Sequence, residues 1–144
     1  EEPGRVRAAN EIIELANKVL ALEMHEIPNG SLRHDTELMF TKPARILKEW
    51  RLWVVRDEIV TFSLYKEGSR VVYRHEIDGD ALKFAKRLVI ANPDYAPAFV
   101  IDICRTEDGL KMLETNCINA AGFYNADLLK LVASIDSLSD LPTS

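Results

Sequence analysis

The chain has 144 residues, 47% hydrophobic and 28% charged, enough for one domain with a buried core. Its net charge of −5 excludes a nucleic-acid binder working through bulk positive charge, while leaving room for a local basic cluster that holds one small polyanion. No apolar run approaches the roughly 18–20 residues of a membrane helix, and no signal or lipidation motif is present.

Residues 6–26 read as a helix, because Ala9, Ile12, Ile13, Ala16, Val19, Leu20 and Met24 recur at helical spacing. Its exposed apolar stripe calls for a partner surface, either a second copy or an upstream subdomain. The chain opens at Glu1 rather than Met, which agrees with an upstream region. Ile27-Pro28-Asn29-Gly30-Ser31 breaks the helix, and a polar linker follows to about residue 37. Residues 1–37 are thus expected to be a helix and linker, the remnant or end of a preceding subdomain. Residues 38–137 form the principal domain and 138–144 a tail.

Residues 45–55 alternate strictly: Glu49, Arg51, Trp53 and Val55 share one face, and Trp50, Leu52 and Val54 the other. Arg56-Asp57-Glu58 is a tight connection to a return strand at 59–65, and Gly68-Ser69 turns into a third strand at 70–76, giving a meander. Asp78-Gly79-Asp80 caps a helix over 81–91. Two strands, 98–104 and 110–116, flank Arg105–Gly109, and a last helix covers 127–135. The expected class is α+β, a mostly antiparallel sheet with helices packed on one face.

The two strands at 98–104 and 110–116 carry the chemistry. Asp102 is the acid of a strongly apolar strand, and period two puts Glu114 and Asn116 on one face of the next. A three-residue loop, Glu107-Asp108-Gly109, pairs Thr106 with Leu110 and sets Asp102 opposite Glu114 and Val100 opposite Asn116. Two adjacent carboxylates repel, so the cluster calls for a cation. Hard oxygen donors suit Mg²⁺, which bridges to substrate phosphates. The competing reading is that both acids face Lys or Arg.

Residues 99–116, with their acid on one strand and Glu-x-Asn on the next, resemble the metal hairpin of the ATP-grasp superfamily. The stretch Glu49-Trp-Arg-Leu-Trp-Val-Val55 is similar to the strand that opens the second subdomain of that fold. The resemblance covers about residues 38–127 and implies ATP and Mg²⁺ as cofactors, with Asp102, Glu114 and Asn116 as metal ligands. It implies Arg51 reaching substrate or phosphate, with Arg74 as a second cation; these two are the candidate catalytic residues. It places Lys42 near the hinge that contacts adenine, and Glu49, Arg51 and Asn119 among the nucleotide- or substrate-binding side chains. The 117–124 segment would shape the acceptor end, where Asn119 and Tyr124 lie.

The implied activity is ATP-dependent ligation of a carboxylate to an amine, through an acylphosphate. The chain departs from the family in one respect: residues 1–37 hold no glycine-rich loop. The alternative is therefore a reduced, non-catalytic interaction module.

No phosphate loop of the GxxxxGK[ST] type occurs, and no GxGxxG turn. His25, His34 and His75 are scattered and form no triad with a serine. Cys104 and Cys117 read as small buried thiols in a reducing cytoplasm, where the protein is expected to act.

Overall fold

A computed structural model describes residues 9–23, 26 and 43–138. The chain divides into two compact units, Glu1–Pro43 and Ala44–Ser144. In the first, helix α1 spans Ala9–Leu20. Ile13 and Leu20 stand about half exposed on it, so the amphipathic stripe read from the sequence is present.

The second unit is a five-stranded antiparallel sheet with two helices. Its elements are β1 (Ile46–Val55), β2 (Glu58–Glu67), β3 (Arg70–Arg74), α2 (Gly79–Ala91), β4 (Ala98–Thr106), β5 (Gly109–Asn116) and α3 (Leu128–Asp136). A single turn of 3-10 helix, Ile118–Ala120, follows β5. The strand order is β3-β2-β1-β4-β5, so β1 is central and β3 and β5 are the edges.

The turns show why the meander forms. Arg56 and Asp57 both adopt positive φ, 50° and 58°, the conformation a two-residue hairpin turn demands. Gly68, at φ 58°, serves the β2–β3 turn without the steric cost a side chain would meet. After β3, α2 carries the chain over the sheet to the far side of β1, where β4 pairs antiparallel.

Alternation along β1 divides the core in two. Trp50, Leu52 and Val54 pack with Phe99, Ile101 and Ile103 under Ala81, Ala85 and Val89 of α2. Trp53, Val55 and Val100 pack on the opposite face with Ala121 and Leu131 of α3. Each such side chain removed from water contributes about 1.5–3 kcal/mol. The α+β class and antiparallel sheet stand as expected, but the helices lie on both faces rather than one. β1 is apolar on both sides, and each side needs its own cover.

Asp78 is the N-cap of α2 by position, yet its carboxylate accepts from Lys48 and Arg105 instead of the helix amides. Asp127 does cap α3, accepting from the Lys130 amide. Among the described residues no helix is long and apolar enough to cross a membrane. Both cysteines are free; Cys104 is buried as expected, whereas Cys117 is exposed just beyond β5.

Candidate functional site

The face of β1 that carries α3 is only half covered by it. Beyond Trp53 the same face presents Arg51 and Glu49, and there the chain between β5 and α3 forms the cover. Glu49, Arg51, Thr61, Ser63 and Asp102 are all buried polar side chains of this face.

Asp102 lies opposite Glu114 and Val100 opposite Asn116, as the sequence predicts, but by a different route. The β4–β5 turn holds two residues, not three, so Thr106 pairs with Gly109 and Ile103 with Met112. A bulge at Leu113 then adds the missing residue and restores the pairing at Glu114. Asn116 Nδ2 donates to Glu114 Oε1 at 2.9 Å, so these two side chains share a face.

The cation beside the two acids is Arg51. It sits directly across from Asp102 in the β1–β4 ladder. Its Nε donates to Asp102 Oδ1 at 2.9 Å and its Nη2 to Asp102 Oδ2 at 2.7 Å, a bidentate pair. The same Nη2 lies 4.0 Å from Glu114 Oε1. Nη1 donates to the Gly122 carbonyl at 3.4 Å, and the guanidinium stands 5.0 Å over the Tyr124 ring and 5.7 Å from Tyr65. Arg51, expected to reach substrate or phosphate, is thus buried and engaged on every side: the repulsion between the acids is relieved from within the fold.

Electrostatics follow from that geometry. The hydrogen bond to Asp102 holds the Arg51 proton more tightly than in a free guanidinium, although burial opposes it. Burial raises the Asp102 carboxyl above its ordinary value, against the pull of Arg51, and the nearby Glu114 charge adds to the rise. Burial likewise raises the Tyr65 hydroxyl, reinforced by the Asp102 charge and by its hydrogen bond to Glu49.

The other expected residues fall as follows. Glu49 is buried; its Oε2 accepts from Tyr65 Oη at 2.7 Å and its Oε1 pairs with Lys66 at 2.7 Å. Arg74, on the β3 edge, is exposed and paired with Glu67 at 2.8 Å and Glu76 at 3.3 Å. Asn119 is exposed in the 3-10 turn. Lys42, with the adjoining hinge residues Phe40 and Thr41, lies outside the described residues.

Reading the sequence overlooked the anchors of the chain between β5 and α3. Thr61 Oγ1 accepts from the Asp127 amide at 2.8 Å, and Ser63 Oγ from the Asn125 amide at 3.4 Å. Tyr124 stacks on Tyr65 at 4.9 Å and on Tyr73 at 5.2 Å. The signal was available: Thr61, Ser63 and Tyr65 alternate with Phe62 and Leu64, a polar face on a strand otherwise built for the core.

The donor set fits a divalent ion in part. Among the described residues no group of three or more His, Cys, Asp or Glu can hold a metal. Glu114 and Asn116 nevertheless supply hard oxygens side by side, with the Glu114 side chain 54% exposed. These two fit Mg²⁺. Asp102 joins them only by yielding an oxygen now held by Arg51.

A family of ATP-grasp domains, described as the third family of its clade, has a model that matches residues 5–135. No curated protein matches the chain.

Proposed function

We propose a function from one premise: this chain belongs to that ATP-grasp domain family. It binds ATP with Mg²⁺ on the Arg51–Glu114 face of the sheet and takes part in joining a carboxylate to an amine or similar nucleophile. The carrying observation is the open Glu114–Asn116 donor pair beside the buried Arg51–Asp102 pair.

Glu114 and Asn116, with Asp102, would hold the ion, which when bound supplies positive charge between the β- and γ-phosphates. The substrate carboxylate oxygen attacks the γ-phosphorus, and the bond to the ADP oxygen breaks. The nucleophile then attacks the acyl carbon, loses its proton and displaces phosphate. Arg51 sets the local positive potential against which the transferring charge develops. Arg74, Glu49, Lys42 and Asn119 are candidate contacts to the nucleotide or the acceptor, and the protein would act in the cytoplasm.

A second reading is a reduced, non-catalytic ATP-grasp-like interaction module, and one observation favours it. Asp102 already has its cation in Arg51, so the fold does not need a metal to be electrostatically complete.

Thermal unfolding with ATP, with Mg²⁺ and with both separates the two. Nucleotide at a hundredfold excess over its Kd stabilises the folded state by about 2.7 kcal/mol. The catalytic reading expects a shift that needs both ligands and vanishes in Glu114→Ala. No shift in the chain joined to its complete natural protein would remove it.

A further inference from the structure

We propose that Arg51 is a tethered counter-cation. It holds the carboxylates of Asp102 and Glu114 where a divalent ion would sit, and its release couples ion binding to the 117–127 segment. This rests on the metal reading given above and concerns the regulation of that same site.

Both Asp102 oxygens are occupied by Arg51, at 2.9 and 2.7 Å. An ion that takes a carboxylate oxygen at about 2.0–2.1 Å cannot share it with a guanidinium in bidentate contact. Nη2, which faces Asp102, is also the nitrogen 4.0 Å from Glu114, so one group stands between both acids. The entering ion must therefore turn Arg51 away from at least one of them.

That turn reaches the segment beyond β5. Arg51 Nη1 donates to the Gly122 carbonyl, and the guanidinium lies 5.0 Å over Tyr124. Tyr124 holds φ at 48°, a left-handed backbone that a bulky side chain adopts only where contacts impose it. At the far end, the Asn125 and Asp127 amides are fixed to Ser63 and Thr61. At the near end, Asn116 is paired in β5. A shift of Arg51 is thus delivered between these anchors, at Gly122–Tyr124. Arg51 is a positioning residue in this scheme: it acts through the segment that lies beside the donor pair.

The test uses the full chain and two readouts other than turnover. Mg²⁺ alone is titrated into wild type and Arg51→Met by calorimetry, and amide exchange at residues 120–125 is followed in wild type with and without Mg²⁺ and ATP. The tether requires Arg51→Met to bind Mg²⁺ about tenfold or more tightly than wild type, because a unit positive charge has left its neighbourhood. It also requires exchange at Gly122–Tyr124 to rise when Mg²⁺ and ATP bind. Equal Mg²⁺ affinity in the two proteins, or stabilisation by Mg²⁺ and ATP with unchanged exchange, overturns it. Tighter Mg²⁺ binding by Arg51→Met in a protein that ATP never stabilises removes the nucleotide reading and keeps the tether. Should Arg51→Met fail to fold, the wild-type exchange result decides.

Discussion

Arg51 and Asp102 face each other across β1 and β4 with both side chains buried, joined by two parallel hydrogen bonds of 2.9 and 2.7 Å. Truncating one partner leaves the other charge stranded away from water, which costs about 3–5 kcal/mol. Asp102→Ala is expected to fall in that range by urea unfolding. The double change Asp102→Leu with Arg51→Met is expected to recover much of the loss, since well-packed apolar pairs replace buried ion pairs at little cost. A loss below about 1 kcal/mol in the single variant would show the pair to be far better solvated than its burial implies.

Tyr65 gives a pH signature. Burial, the Asp102 charge and the bond to Glu49 all raise its hydroxyl above the ordinary value near 10. The folded chain therefore keeps this proton where the unfolded chain loses it. The stability tied to Tyr65 is complete below pH about 10 and declines as pH rises above it, by up to about 1.4 kcal/mol per pH unit. In an absorbance titration of the folded protein, Tyr65→Phe should show the same tyrosinate step near pH 10 as wild type. A step smaller by one tyrosine in the variant would contradict the assignment.

Thr61 is 1% exposed, and its hydroxyl oxygen accepts from the Asp127 amide at the start of α3. Thr61→Val keeps the shape and removes the acceptor. An amide left without a partner there costs about 1–3 kcal/mol. Faster exchange of the Asp127 amide, with the rest of β2 unchanged, would identify the lost bond as the cause.

Glu114 and Arg74 separate donors from bystanders. Glu114→Ala is expected to abolish the Mg²⁺-dependent part of nucleotide stabilisation. Arg74→Ala breaks only exposed pairs with Glu67 and Glu76, and should change stability by less than about 1 kcal/mol. A large loss of nucleotide affinity in Arg74→Ala would return that arginine to the phosphate site.

Local pattern made most elements legible. Alternation fixed the faces of β1, and the Glu114-x-Asn116 parity placed two donors together without any tertiary information. The partner of Asp102 was hidden because it comes from 51 residues earlier in the chain. Nothing local says that β4 leaves α2 to lie beside β1 rather than β3. Once the order β3-β2-β1-β4-β5 is known, Arg51 and Asp102 must meet. The same long-range step hid the split of the helices, since α2 and α3 carry equally ordinary amphipathic patterns. Thr61 and Ser63 were visible as polar residues, but their role depends on a loop that returns more than 60 positions later.

The bulge at Leu113 sets the hairpin's tolerance to length change. Excising Leu113 would leave a plain ladder in which glutamate still meets Asp102, because the shortened strand advances by the one position the bulge now absorbs. Removing Lys111 instead reaches the same pairing at the glutamate only by moving Met112 opposite Cys104 and Leu113 opposite Ile103, which turns both side chains to new faces. The turn and the acids are thus insulated from each other by a single spacer residue, and length variation between them has one harmless place to occur.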